Sequence, residues 1–347
     1  MVFGSVMLLS SFLSTAAYSA SINQNYVLFP FAHAEIRPDV NHGSELKEFE
    51  VEVGTDFVYL LNYKNIRALG EILITSEKVE IERLQAGINL ANDSTLWLGR
   101  FHTPLGYWNS NYHHGLHLQT SVHRPGIIEY EDDGGPLPNH ITGLMLEGQY
   151  FKNNGAINYA AAIGYAPTIE HEFKPYEPGS TRNKIHSIFK VSYQFDETNP
   201  TESGVVIGQS TINGDHNNID QIRQNLFGVF SHLSINKSRI TAAMYLLNNR
   251  ILYHTLAEDV ASFAAGYAHV EYDVASKWII YGRVEQAFGA DHDPYLELFD
   301  HSETERMLGG VRYDINRRHA ISSEVSHRIS DHDSHTHVSF QWSAVFP

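Results

Sequence analysis

The chain lacks cysteine, has few basic residues, and has no long apolar run beyond its N-terminus. With no Cys, a disulfide framework and Cys-ligated zinc or iron–sulfur sites are excluded. No run of about 18 apolar residues follows the N-terminus, which excludes helical membrane spans. Lys and Arg number 24 against 40 Asp and Glu, for a formal net charge of −16. This balance argues against a nucleic-acid partner, because phosphates require a basic surface.

The first twenty residues resemble a secretory signal. Residues 6–13 form a mostly apolar stretch and residues 14–20 are mostly small, which predicts cleavage near residues 17–21. The basic residues typical of such signals are missing from this segment, so an apolar tail or an edge strand is the alternative. We expect a signal peptide over residues 1–20 and a single domain over residues 21–347.

In the rest of the chain, apolar and polar residues alternate with a period of two. In residues 278–288, Ile280 and Val284 lie on one face, whereas Arg283 and Glu285 lie on the other. Such alternation predicts β-strands with two different faces. It does not decide the class of protein, because strands of a soluble sandwich alternate in the same way.

The connections between these segments are short and long in turn. The short ones are residues 152–155, 196–203, 236–237, 275–277 and 316–318, and the long ones are residues 167–183, 214–222, 247–260, 289–304 and 330–334. Outer-membrane barrels have this asymmetry, with tight periplasmic turns and longer external loops. Strand lengths near ten and aromatic residues near strand ends also favour a barrel. The sequence therefore predicts an all-β transmembrane antiparallel barrel in the cell outer membrane.

Extending the same order back to the N-terminus predicts about sixteen strands, with fourteen to eighteen possible. Their expected first residues are 32, 47, 66, 79, 94, 141, 156, 184, 203, 223, 238, 261, 277, 304, 318 and 335. An even number puts both termini on the periplasmic side. The first strand is the weakest prediction, because it contains Pro38 and proline is poorly tolerated within a ladder.

The longest connection is the third external loop, residues 103–140. It contains Trp, Tyr, Ile and Leu residues that need a surface to pack against. Long ordered loops of this kind are usually functional. We therefore expect this loop to fold into the lumen and narrow it.

Sequence blocks in and beside this loop resemble a known family. They are ERLQ (82–85), GRFHTPLGYW (99–108), YHHG (112–115), RP (124–125) and EDDGGPLPNH (131–140). Together they resemble a largely uncharacterised family of porin-like bacterial outer-membrane proteins, and more distantly phosphate-selective and general diffusion porins. The close match covers residues 79–144. The resemblance implies a porin-like barrel among outer-membrane lipid and lipopolysaccharide, with a homotrimer plausible, and it supplies no substrate.

The predicted constriction combines basic wall residues with an acidic loop. In the porins that the chain resembles, such opposite charges create a field across the pore. The alternative is that the charges pair locally to satisfy a polar interior. The predicted constriction residues are Arg83, Arg100, Tyr107, Trp108, Arg124, Glu129, Glu131, Asp132, Asp133, Arg283 and Arg312.

Histidine is abundant, with 21 residues, and six histidines lie in or beside the third loop. His113 and His117 have the spacing that one helical turn would place on one face, as suits Zn²⁺, Cu²⁺ or Ni²⁺. We take His113, His114 and His117 as candidate metal ligands. The alternative is that the histidines hydrogen-bond the loop to the wall. Asp-His runs at residues 215–216, 291–293 and 331–333 predict weak capture of divalent cations or a hydrated acidic surface.

Three functional hypotheses are compatible with these sequence features. The leading hypothesis is a passive channel for small hydrophilic solutes, with no cofactor and no covalent chemistry. The second is a metal-binding surface or uptake protein that uses the His- and Asp-rich loops. The third, an outer-membrane hydrolase, has the least support, because no nucleophile, phosphate-binding or zinc-protease motif is present.

Overall fold

In the computed structural model the chain forms a closed antiparallel barrel of sixteen strands. The structure describes residues 23–38, 46–91, 93–112, 115–129, 135–152, 154–165, 168–169, 173–174, 184–196, 199–213, 219–291, 293–299, 303–330 and 334–347. The predicted signal peptide lies outside these ranges, as do His113, His114, Glu131, Asp132, Asp133 and most of the Asp-His runs.

Sixteen strands form the barrel and two very short ones pair outside it. The barrel strands are β1 (Asn23–Pro38), β2 (Leu46–Tyr63), β3 (Ile66–Thr75), β4 (Val79–Asn89), β5 (Ser94–His102), β6 (His140–Lys152), β7 (Gly155–Tyr165), β10 (Ile185–Asp196), β11 (Asn199–Asn213), β12 (Ile219–Ile235), β13 (Ser238–Tyr253), β14 (Glu258–Ala275), β15 (Trp278–Phe288), β16 (Glu305–Asn316), β17 (His319–Ile329) and β18 (Ser334–Ala344). The short pair is β8 (Thr168–Ile169) and β9 (Phe173–Lys174).

Helical structure in the described residues is confined to short segments. Helix α1 covers Tyr107–Asn111, and 3-10 turns cover Gly126–Ile128 and Leu296–Leu298. None of the described helices has the length and apolar character needed to cross a membrane.

The first and last strands close the barrel. β1 pairs with β2 on one side and with β18 on the other, where Ala34 lies opposite Phe340. Closure leaves no free sheet edge, so every strand finds backbone hydrogen-bond partners on both sides. This is the arrangement that a sheet needs in order to span a bilayer.

The two faces of the wall differ in chemistry. The outer face exposes large apolar side chains such as Leu84 (63%), Leu98 (63%) and Val284 (53%). The opposite face is polar and charged, and there Arg283 and Glu324 are buried. An apolar exterior around a polar interior is the pattern of a membrane barrel, and the inverse of a soluble one. The predicted fold class and the outer-membrane location are confirmed.

The predicted short connections are confirmed, whereas one predicted long connection is short. β6 ends at Lys152 and β7 begins at Gly155, while β12 and β13 are joined by residues 236–237 alone. Pro38 is the last residue of β1, beside a shift in register, where its missing N–H does little harm.

Two details of the strand prediction were wrong. β1 begins at residue 23 instead of 32, because Pro30 is accommodated within its ladder with β2. β12, β13 and β14 have 17, 16 and 18 residues instead of about ten. Their pairing continues beyond the apolar band, so the external connection predicted over residues 247–260 shrinks to residues 254–257.

Candidate functional site

The third loop begins with a close contact to an aromatic side chain of the wall. Gly106 has a φ of 149°, and a Cβ atom there would lie 2.9 Å from the Tyr245 hydroxyl. That hydroxyl donates a 2.7 Å hydrogen bond to the backbone carbonyl of Leu105. The chain can therefore pass close to β13 only because residue 106 has no side chain.

Helix α1 then places two predicted constriction residues in a buried cluster. Trp108 is 1% exposed and meets Tyr267 and His269 edge-on, with ring centroids 5.9 and 5.3 Å apart. Tyr107 stacks on His232, with ring centroids 4.0 Å apart and an interplanar angle of 2°. Both side chains pack the loop against β12 and β14. Such aromatic contacts stabilise packing beyond the apolar area that they bury.

Arginines of the wall bind the backbone of the next part of the loop. Nη1 of Arg312 donates to the carbonyls of His117 and Gln119 at 2.9 and 2.6 Å. Arg283 donates to the carbonyls of His123 and Arg124 at 2.9 and 2.8 Å. A guanidinium offers five N–H donors in a fixed plane, which lets one side chain bind two successive carbonyls. Two predicted constriction arginines are thus brought to the loop.

Carboxylates of the wall bind the N–H groups of the same segment. Glu324 on β17 accepts from the backbone N–H of Val122 at 3.0 Å, and Glu285 on β15 accepts from that of Gly126 at 2.6 Å. The loop backbone therefore has partners of both charges on the wall. Buried backbone groups need such partners, because each unmet group carries a desolvation cost.

The predicted wall arginines also have carboxylate partners on the wall. Arg283 pairs with Glu285 at 2.7 Å, Arg312 pairs with Asp314 at 2.9 Å, and Arg83 pairs with Glu71. These ion pairs agree with the alternative in which the interior charges pair locally to satisfy a polar interior.

Arg100, another predicted constriction residue, has a different kind of partner. Its Nε donates a hydrogen bond to the backbone carbonyl of Ile81 on β4.

Glu129 is the one predicted acidic loop residue that the structure describes. Its carboxylate lies 3.8 Å from Arg124 and 3.7 Å from Arg306. Arg306 was missing from the predicted set, although it shares the inward face of β16 with Arg312 and alternation alone indicates its orientation. Arg306 also donates to the carbonyl of Arg124 at 2.9 Å.

His123 fastens the middle of the loop to two strands. Its Nδ1 lies 2.7 Å from Glu324 and its Nε2 lies 2.7 Å from Glu35 on β1. Burial and the charge of Arg328 act to lower the pKa of His123, but the hydrogen bonds to the two carboxylates outweigh them and raise the pKa above its ordinary value. Acceptors at both ring nitrogens favour the charged ring, in which both nitrogens donate, as the wall-anchoring alternative for the loop histidines predicts.

His117 is the one predicted metal ligand within the described residues. Burial, with the nearby charge of Arg312, lowers the pKa of His117 to about 4. Its Nδ1 lies 3.4 Å from the hydroxyl of Ser343. The described part of the chain shows no group of ligand atoms around His117.

Two other groups in the described residues have metal-ligand geometry. One combines His33, Glu35 and His123, and the other combines Glu82, His102 and His140. His102 and His140 end β5 and begin β6, so antiparallel pairing of these strands would have brought the two histidines together. The sequence shows that both histidines lie beside the loop, but its pattern does not identify them as metal ligands.

Comparisons with solved structures show similar barrels. OmpT, an outer membrane protein of Vibrio cholerae, matches with 12% identity and a TM-score of 0.64 over 95% of this chain and 99% of that one. An anion-selective porin from Comamonas acidovorans matches with 9% identity and a TM-score of 0.63 over 94% and 100% of the two chains. Salmonella typhi OmpF, in complex with daunomycin, matches with 10% identity and a TM-score of 0.62 over 96% and 100%.

No protein-family model matches the chain, and no curated protein matches it. At these identities the similarity establishes the architecture and leaves the solute open. The chain has the fold of the outer-membrane porins.

Proposed function

We propose that this barrel is a channel for passive diffusion of small hydrophilic solutes, narrowed by residues 103–140 inside its lumen. The observation that carries the proposal is the set of hydrogen bonds between the loop backbone and interior side chains of β15, β16 and β17. A loop held by interior side chains on several strands reduces the open cross-section. Width and charge at such a constriction select solutes without covalent chemistry or a cofactor.

The charge pairing bears on selectivity. Arg283, Arg306 and Arg312 donate to loop carbonyls and pair with carboxylates. Guanidinium groups with these partners present little free positive charge to a passing anion. We therefore expect pore width to dominate selection, with weak preference for cations over anions, in keeping with the net charge of −16.

The proposed surroundings are outer-membrane lipid and lipopolysaccharide, which the exposed apolar face of the wall would contact. A homotrimer is part of the proposal as well. One form of Vibrio cholerae OmpT, whose fold is similar to that of this chain with a TM-score of 0.61, is a trimer.

Single-channel recording in planar bilayers tests the proposal. In one variant, residues 104–138 are replaced by a short Gly-Ser linker. The hydrogen bond from the N–H of Thr103 to the carbonyl of Asn139, 2.7 Å long, holds the two ends of the loop together, so a short linker can join them. We expect larger conductance steps than in the unaltered protein. The control replaces residues 254–257, where Leu256 is 96% exposed, and should leave the conductance unchanged.

Two outcomes would contradict the proposal. Absence of conductance steps from correctly folded protein, judged by circular dichroism and by heat-dependent migration in gels, rejects a channel. Equal conductance with and without the loop rejects the constriction and leaves the channel standing.

A further inference from the structure

We propose that Glu82, His102 and His140 form a binding site for a divalent transition-metal ion of the Zn²⁺ type. Oε2 of Glu82 lies 2.9 Å from Nε2 of His140 and 3.7 Å from Nε2 of His102. One ligand atom of each residue falls within 4.8 Å of the other two, and all three residues are buried. The site is distinct from the His113, His114 and His117 set and from the proposed pore function.

The sheet itself brings the two histidines together. His102 and His140 lie directly opposite each other in the β5–β6 ladder. Opposite residues of an antiparallel pair project to the same side, with Cβ atoms about 4.5–5.5 Å apart. Their rings meet edge-on with centroids 4.9 Å apart. Ligands on paired strands are held more rigidly than ligands on a loop.

A bulge in β4 supplies the carboxylate. Glu71 pairs with Arg83 and Ile72 pairs with Ile81, so Glu82 has no opposite residue on β3. An extra residue of this kind breaks the alternation of the strand and redirects a side chain. Arg83 reaches Glu71 and Glu82 reaches the histidines. Regular alternation would place these adjacent side chains on opposite faces.

The ligand set and its spacing suit zinc. Two imidazoles and one carboxylate are the protein ligands of several zinc sites, with metal–ligand distances of about 2.0–2.2 Å and a fourth position for water. Tetrahedral geometry at those distances puts neighbouring ligand atoms about 3.4 Å apart. The separations of 2.9 and 3.7 Å bracket that value. Small side-chain rotations are enough to bind an ion.

The second group of potential ligands provides a natural control. Both ring nitrogens of His123 face carboxylates at 2.7 Å, which leaves no lone pair for a metal when the ring is protonated. Arg328 also lies 3.7 Å from Glu35 and competes with any added cation. We therefore assign this second group to loop anchoring and the first group to metal binding.

A metal at Glu82, His102 and His140 would join the two ends of the third loop. His102 directly precedes the loop, and His140 is its last residue and the first residue of β6. An ion held by both adds a cross-link at the base of the loop and stabilises the folded state by mass action. The barrel should become more resistant to heat in the presence of Zn²⁺.

Isothermal titration of untagged, detergent-folded protein with Zn²⁺ tests the site. We expect one saturable site in the unaltered protein. His102→Ala combined with His140→Ala should weaken it by more than the roughly 10–100-fold that loss of a supporting partner costs. Glu82→Gln, which keeps the shape and removes the charge, should weaken it too. His33→Ala in the control group, and the triple change His113→Ala, His114→Ala and His117→Ala, should leave that affinity unchanged.

Spectroscopy of the unaltered protein covers the case in which a variant does not fold. X-ray absorption at the zinc edge should show two imidazole nitrogens and a carboxylate oxygen at about 2.0–2.2 Å. No saturable binding below millimolar Zn²⁺, or binding lost only in the triple variant, overturns the proposal. Neither measurement uses a bilayer current, so failure of the metal site and failure of the channel are distinguishable.

Discussion

Replacing Arg283 by methionine should loosen the third loop from the wall. The side chain is fully buried and joins β15 to the loop through the carbonyls of His123 and Arg124 at 2.9 and 2.8 Å and the hydroxyl of Ser121 at 3.2 Å. Methionine fills a similar length without donors or charge. The change therefore removes the hydrogen bonds and leaves the packing against Trp108 partly intact.

The magnitude follows from what the substitution leaves behind. Glu285 loses its 2.7 Å partner and keeps Arg306 at 3.6 Å and the N–H of Gly126 at 2.6 Å. Removing one partner of a buried ion pair costs about 3–5 kcal/mol. The remaining contacts of Glu285 limit the loss, so we expect a decrease of about 3 kcal/mol in the free energy of unfolding.

Urea unfolding from phospholipid vesicles, followed by tryptophan fluorescence, measures this change. Arg250→Met is the matched control, because Arg250 also pairs with a carboxylate, Glu258, at 2.6 Å, but its side chain is 49% exposed. Exposed pairs contribute about 0–1 kcal/mol. Equal losses for the two variants would refute the assignment of Arg283 as a buried anchor of the loop.

Three further predictions concern the loop and the wall. Because the pKa of His123 is raised, its charged form anchors the loop fully below about pH 6.5, and its contribution to stability is lost as the pH rises through the raised value. Thermal unfolding at different pH values should show this loss, and His123→Gln should abolish it. Gly99→Ala should reduce the folded yield, because φ is 137° and the new Cβ would lie 2.1 Å from the carbonyl oxygen of Leu84, whereas Gly70→Ala meets open space. Trp108→Ala should lower the free energy of unfolding by about 3–5 kcal/mol, and Leu256→Ala by less than about 0.5 kcal/mol.

Each of these predictions has an outcome that contradicts it. A pH profile that is the same in His123→Gln shows that another group titrates. Equal folded yields for the two glycine variants show that the backbone near residue 99 moves freely. A Trp108→Ala loss no greater than that of Leu256→Ala shows that the aromatic anchor contributes little to stability.

Much of the barrel could be predicted because its signals are local. Side chains of a strand alternate between two faces, so a few residues such as Ile280 and Arg283 reveal both lipid and lumen. Chain reversals recur at polar stretches, and their lengths indicate the side of the membrane. Strand ends were less predictable, because β12, β13 and β14 continue wherever a neighbour remains to pair with.

The site was only partly predictable, because it depends on contacts between distant positions. Arg283 was expected at the pore, but its binding to the Arg124 carbonyl, 159 positions away, depends on the path of the loop. In the sequence, Glu82 stands out only as part of the ERLQ block that carries the family resemblance. Its position beside His140 depends on a bulge that no local pattern indicates.

The sequence by itself determined the class of barrel, the order of its strands and the chemistry of the two faces, because these follow from a repeat of two residues and from the spacing of turns. Only the tertiary structure decided which interior side chains meet the loop and which histidines share a carboxylate. Closing the barrel sets every register at once, and bulges then shift individual side chains. Contacts across the barrel therefore depend on the whole ring of strands.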